Sequence, residues 1–226
     1  MTEGLPCDTI GIKADRLCKC RHAGHAADSR YKRRKCRMMP NRVEAERLLS
    51  EAGRSNPGPW ENHSRVAAAC AEKIAARCPG MDAEKAYILG LLHDIGRKFG
   101  IRHLGHVYDG YRYMSRLGYD EAARICLTHS FSVQDIHTYI GRFDITQEEQ
   151  WEMEEKLQTL VYDDYDLLIQ LCDCLAGADG VMDMEARMAD VKARYGMYPQ
   201  NKWDKNLYLK QLFEERTGID IYEIVK

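Results

Sequence analysis

From residue 40 onward, apolar residues recur at three- and four-residue intervals, the pattern of helices that each hide one face. Val66, Cys70 and Ile74 show it at four-residue spacing inside a helix predicted over 60–77. Pro40-Asn41 opens an earlier helix reaching about Ala52, and Gly53 through Pro59 breaks the chain between the two. Cys78-Pro79-Gly80 stops the second helix, and Asp82 caps a third, nearly all-apolar one that runs through His93. Further helices are predicted over 106–117, 120–130, 146–161, 163–177, 183–195 and 201–217, with Gly118 and Gly196 as C-terminal caps. No alternating strand pattern and no internal repeat is present, so the expected fold is all-α, a single-domain helical bundle over residues 39–226.

Residues 1–38 carry no such period. They hold Cys7, Cys18, Cys20, His22, His25 and Cys36 ahead of a basic run, Tyr31-Lys-Arg-Arg-Lys-Cys-Arg37. The Cys18-x-Cys20-x-His22 spacing is tighter than zinc modules use, so this segment is expected to be a disordered basic tail. Folded-looking sequence begins just after Met38 and Met39, which makes either a candidate translation start.

Composition narrows the class. With 226 residues and 45% hydrophobic content, the chain can bury one good core. Residues 1–42 contain 11 Lys/Arg against four acids, so the net charge of -2 hides an acidic body that argues against nucleic acid as a partner. No apolar stretch is long enough to span a bilayer and no signal peptide is evident, so no membrane is expected and the cytoplasm is the expected location. Nine cysteines, an odd and scattered set, read as reduced thiols, with Cys70, Cys126, Cys172 and Cys174 as small core residues.

The chemistry sits in the run Leu89-Gly-Leu-Leu-His-Asp-Ile-Gly-Arg-Lys98. His93 and Asp94 follow a stretch that should be buried, and a buried carboxylate needs a cation or a dense hydrogen-bond network. His63 faces inward with Val66 and Cys70, and Asp173 lies in Leu171-Cys-Asp-Cys-Leu175. A lone histidine on an apolar face is an ordinary core residue; four such residues together suggest a metal site. Imidazole and carboxylate ligands suit zinc, iron, manganese, cobalt or magnesium.

His63, His93-Asp94 and the distant Asp173 give the chain a pattern that resembles the HD superfamily of metal-dependent phosphohydrolases. The resemblance covers residues 40 to about 195, with a metal core near 60–177. His106-Val-Tyr-Asp-Gly110 and Leu127-Thr-His129 resemble the positions that hold a second metal in part of that superfamily. Val107, Arg97 and Ser130 depart from residues common there. The resemblance implies one or two divalent ions, held by His63, His93, Asp94, His106, His129 and Asp173, with Asp94 bridging. Two ions roughly 3.5–4 Å apart would polarise a phosphoryl oxygen and acidify a water.

Asp94 is thus both ligand and catalytic residue, and Arg97 and Lys98 are candidates to hold a substrate phosphate. Asp109, one turn from His106, is a candidate to orient it. His103 and His137 are expected to be exposed or at a pocket rim. Tyr108, Tyr111 and Tyr113 are either core residues or the wall of a nucleobase pocket. Downstream, Gly177 to Arg187 reads as a loop into an amphipathic helix at the pocket wall, and Leu207, Leu209, Leu212 and Phe213 suit packing on the bundle or a partner.

No glycine-rich phosphate loop and no Gly-x-Ser-x-Gly elbow competes. The expected function is therefore hydrolysis of a small phosphomonoester or phosphodiester, in particular a nucleotide. Its rivals are a di-iron oxygenase of the same superfamily and a non-catalytic nucleotide-binding module.

Overall fold

The structure, a computed structural model, describes residues 39–226. The expectations for the N-terminal 38 residues, including the disordered tail and any zinc module, lie outside the described residues. Among the described residues the chain is all-α: ten α-helices and no β-strand, with one isolated bridge between Ala176 and Val181. In chain order these are α1 (Arg42–Ser55), α2 (Trp60–Ala75), α3 (Ala83–Leu92), α4 (Leu104–Leu117) and α5 (Asp120–Thr128). They continue with α6 (Gln147–Thr159), α7 (Asp164–Leu175), α8 (Met184–Tyr195), α9 (Gln200–Thr217) and α10 (Ile221–Val225). Short 3-10 turns occupy Ile95–Phe99 and Ile136–Thr138.

The caps explain most boundaries. Asn41, Asp82 and Asp183 each accept a backbone N–H of the following first turn, and Thr146 and Asp163 form reciprocal capping boxes. Gly118 and Gly196 end α4 and α8 at φ 77°, a left-handed backbone that glycine adopts without steric cost. Helix α4 starts two residues earlier than its periodicity predicts. Asp144 is the cause: its carboxylate accepts the His103 and Gly105 amides, both at 2.7 Å. A cap delivered from forty residues downstream leaves no local signal. Helix α2 ends at Ala75 rather than Arg77, because Arg77 and Cys78 donate to Ile74 and Ala75 in tighter i→i−3 bonds.

Two apolar clusters hold the bundle. The larger joins α1, α2, α3, α5, α7, α9 and α10 through residues such as Leu49, Ile74, Leu89, Leu92, Ile169 and Phe213. Leu209 and Phe213 are buried in it, with Leu207 and Leu212 packed alongside, so the last long helix packs on the bundle. A smaller cluster of Leu104, Val107, Tyr108, Phe131, Met153 and Leu157 ties α4 and α5 to α6. Helices α2 and α3 approach so closely at Gly90 that a β-carbon there would sit 2.9 Å from the Ala68 α-carbon. That crossing brings the second and third helices' histidines together.

Candidate metal centre

Five helix-borne elements converge on one point. His63 comes from α2, and His93 and Asp94 from the end of α3, where the chain tightens into the 3-10 turn at Ile95–Phe99. His106 comes from the first turn of α4, His129 from the cap position after α5, and Asp173 from α7. Two groups have donor atoms all within 4.8 Å of one another: His63, His93 and Asp173, and Asp94, His106 and His129.

Asp94 stands between the two groups and divides its oxygens. Oδ2 faces His63 and His93, at 4.0 and 3.9 Å from their Nε2 atoms. Oδ1 faces His106 and His129, at 3.0 and 3.5 Å. Asp173 Oδ1 lies 3.0 Å from His63 Nε2 and 3.8 Å from His93 Nε2.

The far side of every imidazole is tied to the backbone. His63 Nδ1 meets the Ala176 carbonyl at 3.0 Å, His93 Nδ1 that of Gly90 at 2.7 Å, and His129 Nδ1 that of Cys126 at 2.9 Å. His106 Nδ1 contacts the His103 carbonyl. A carbonyl only accepts, so each Nδ1 carries the proton, and in the neutral ring Nε2 is left as a lone pair. These lone pairs point at each other: His63 and His93 Nε2 are 3.2 Å apart, and His106 and His129 Nε2 are 3.3 Å apart. Buried Asp94 Oδ1 has no hydrogen-bond donor. Arg97 supplies donors to Asp94 Oδ2 and His106 Nε2 only, at 2.6 and 3.4 Å, so most of these crowded acceptors are unstable unless a further cation sits among them. The donor set therefore fits divalent metal.

Electrostatics supports the neutral ring at His93 and His106. Burial pushes His93 down to about 4, against the raising influence of Asp94. Burial, then the nearby Arg97 charge, also lowers His106. Burial would raise Asp94, but Arg97, His106 and His93 outweigh it and keep this carboxylate well below its usual range. Asp173 behaves likewise, with burial outweighed by His63 first.

The centre opens into a cleft of about 530 Å³. Arg97 lies at its floor, its Nε 2.6 Å from Asp94 Oδ2. Lys98 does not reach the cleft; its ammonium lies over the Tyr113 ring, 3.9 Å from the centroid, because the 3-10 turn sends successive side chains in different directions. Asp109 pairs with Arg102 Nη1 at 2.5 Å instead of orienting His106, whose Nδ1 is already taken by the His103 carbonyl. None of Tyr108, Tyr111 and Tyr113 lines the cleft: Tyr108 is buried in the smaller cluster and bonds Glu152, while the other two pack on the apolar clusters. His103 is at the rim and His137 is exposed beyond it, stacked on Phe143.

Residues outside the imidazole and carboxylate set build the opposite wall. Tyr139 follows the second 3-10 turn, and burial raises its phenol so that it stays protonated. Arg187 and Tyr195 come from α8, Tyr198 from the loop beyond, and Lys202 from α9. Tyr195, Tyr198 and Lys202 are single polar side chains far in sequence from His129, so only the folded chain assembles them, whereas Arg187 ends the stretch expected at the pocket wall.

A helical bundle with paired His/Asp groups at the base of a cleft defines a class, proteins able to hold metal within an all-α core. The HD domain family model matches residues 60–178, more than half of the chain, and the chain belongs to that family. Its members are in general metal-dependent hydrolases. No curated protein and no solved structure matches the chain.

Proposed function

We propose that this protein is a metal-dependent phosphohydrolase that cleaves a small phosphoester, in particular of a nucleotide. One observation carries the reading: Asp94 offers one oxygen to each of two imidazole groups, the arrangement of a carboxylate that bridges two cations. In that reading His63, His93, Asp94 and Asp173 hold one ion, and Asp94, His106 and His129 hold the other. Cations held there would supply positive charge for the phosphoryl oxygens and would acidify a water at neutral pH.

The protein's own groups do the rest. Backbone carbonyls fix the four rings, so the imidazoles are oriented before ions enter. Arg97, already at Asp94, is placed to turn its remaining N–H groups to a substrate phosphate, where a planar guanidinium binds two oxygens at once. Tyr139, His103 and Tyr195 offer ring surface on the cleft wall, and the cleft volume lies in the range that holds a nucleotide-sized ligand. The buried thiols Cys70, Cys78, Cys126 and Cys172 are unpaired, as suits a reducing compartment such as the cytoplasm.

Six imidazole and carboxylate ligands would equally hold two irons, so oxygen chemistry on the same site is the competing reading. The test is turnover of a chromogenic phosphodiester and a nucleotide panel by protein loaded with manganese or cobalt, with oxygen uptake followed in parallel. Phosphoester hydrolysis lost on chelation supports the proposal. Oxygen consumption by an iron-only protein without phosphoester turnover overturns it.

A further inference from the structure

We infer that α8, α9 and the loop between them form a phosphate-binding wall centred on Lys202, with Tyr198 and Arg187 as its other donors. The inference deepens the hydrolase reading and rests on it, yet its residues lie beyond the segment that the family model matches, 60–178.

Lys202 projects from the first turn of α9 into the cleft. Its Nζ donates to the carbonyls of Ser130, at 2.7 Å, and Thr138, at 3.2 Å. Ser130 follows His129 directly, so the ammonium sits beside the second imidazole group. An ammonium carries three N–H donors, and two are used. Among the described residues no carboxylate lies within ion-pair distance of it, and carbonyls orient a charge without neutralising it. Burial penalises this ammonium and brings it down to about 8. A half-buried cation held in place but not neutralised is complementary to an anion entering the cleft.

The neighbouring donors point the same way. Tyr198 lines the cleft, and its hydroxyl accepts from Asn206 Nδ2 at 2.8 Å, which leaves the O–H proton to donate. Arg187 Nη2 is 3.7 Å from Asp173 Oδ1, too long for a hydrogen bond, so its N–H groups remain available at the metal end. A phosphate with oxygens toward the two His/Asp groups would find these donors on its other side. The shared family segment then supplies the ion-holding residues, and this chain's own C-terminal helices supply the grip on the phosphoanion and so its substrate selection.

The probe is inorganic phosphate, titrated calorimetrically into the manganese-loaded full-length protein, with manganese stoichiometry measured on the same samples. Loss of one charge-assisted contact in Lys202→Met is expected to weaken phosphate about tenfold or more while manganese stoichiometry is unchanged. Lys202→Arg should retain most of the affinity, and Tyr198→Phe should lose a few-fold. Lys202→Gln, which keeps a neutral N–H donor on the side chain, keeps the comparison readable if Lys202→Met does not fold. Wild-type affinity in either neutral variant, or no phosphate binding by the loaded wild type, would overturn the proposal. Phosphate binding that depends on Lys202 in a protein that hydrolyses no phosphoester would leave the wall standing and remove only the hydrolase reading.

Discussion

A β-carbon on Gly96 would fall 1.9 Å from the carbonyl oxygen of His106 and 2.5 Å from the Gly110 amide nitrogen. The 3-10 turn after Asp94 therefore lies directly on the backbone of α4, and this contact sets the distance between Asp94 and His106. Both obstructing atoms are main chain, so neither can move aside cheaply. Gly96→Ala is expected to lower stability by about 3 kcal/mol and to separate Asp94 from His106. Thermal melting and manganese stoichiometry check it: a melting point lower by about 6–12 °C and fewer bound ions are expected.

The two cations after Asp94 should behave differently. Arg97 touches Asp94 and lines the cleft, whereas Lys98 stacks on Tyr113 outside it. Arg97→Ala is expected to cut phosphoester turnover about tenfold or more, and Lys98→Ala to leave it within about twofold. Steady-state kinetics on both variants would refute the placement if Lys98 proved the more sensitive.

Asp166 holds α5 against α7, the helices that bring His129 and Asp173. The carboxylate is fully buried, takes Arg124 Nε at 2.9 Å and Thr128 Oγ1 at 2.7 Å, and pairs with Arg124 Nη2 as well. Removing one partner of such a pair leaves Arg124 and Thr128 uncompensated, so Asp166→Ala should cost about 3–5 kcal/mol. Urea denaturation measures it, and a change below about 1 kcal/mol would mean that the pair does not tie the two helices.

The stability of the metal-free protein should depend on pH through its buried rings. His93 is pushed from 6.5 to about 4, so between those values the unfolded chain binds a proton that the folded chain does not. Stability is then greatest above 6.5 and is lost as pH falls toward 4, at up to about 1.4 kcal/mol per pH unit for one histidine. His106, also lowered by burial, acts in the same direction. Asp94 and Asp173, held below their ordinary range, add their own loss only at lower pH. A flat midpoint in denaturant melts of metal-free protein across this interval would mean that His93 and His106 are not held neutral by burial.

Much of this was legible before folding because it is local. The apolar period gave the long helices, Asp82 and Gly118 marked ends by backbone chemistry, and His93-Asp94 after an apolar run demanded a compensating cation. What escaped is non-local. The start of α4 depends on Asp144, and Asp109 is drawn away from His106 by Arg102, itself placed by the preceding loop. Five-residue α10 is too short to show a period. Lys202 and Tyr198 lie about seventy residues beyond His129 and carry no motif, so only tertiary packing reveals that they face the same cleft.

In the proposed hydrolase Asp94 joins two ion sites. Elemental analysis of manganese-reconstituted wild type and Asp94→Ala, both confirmed folded by circular dichroism, tests it most directly. Two ions per chain in the wild type and at most one, weakly held, in the variant is the expected result. Undiminished manganese in Asp94→Ala would contradict it.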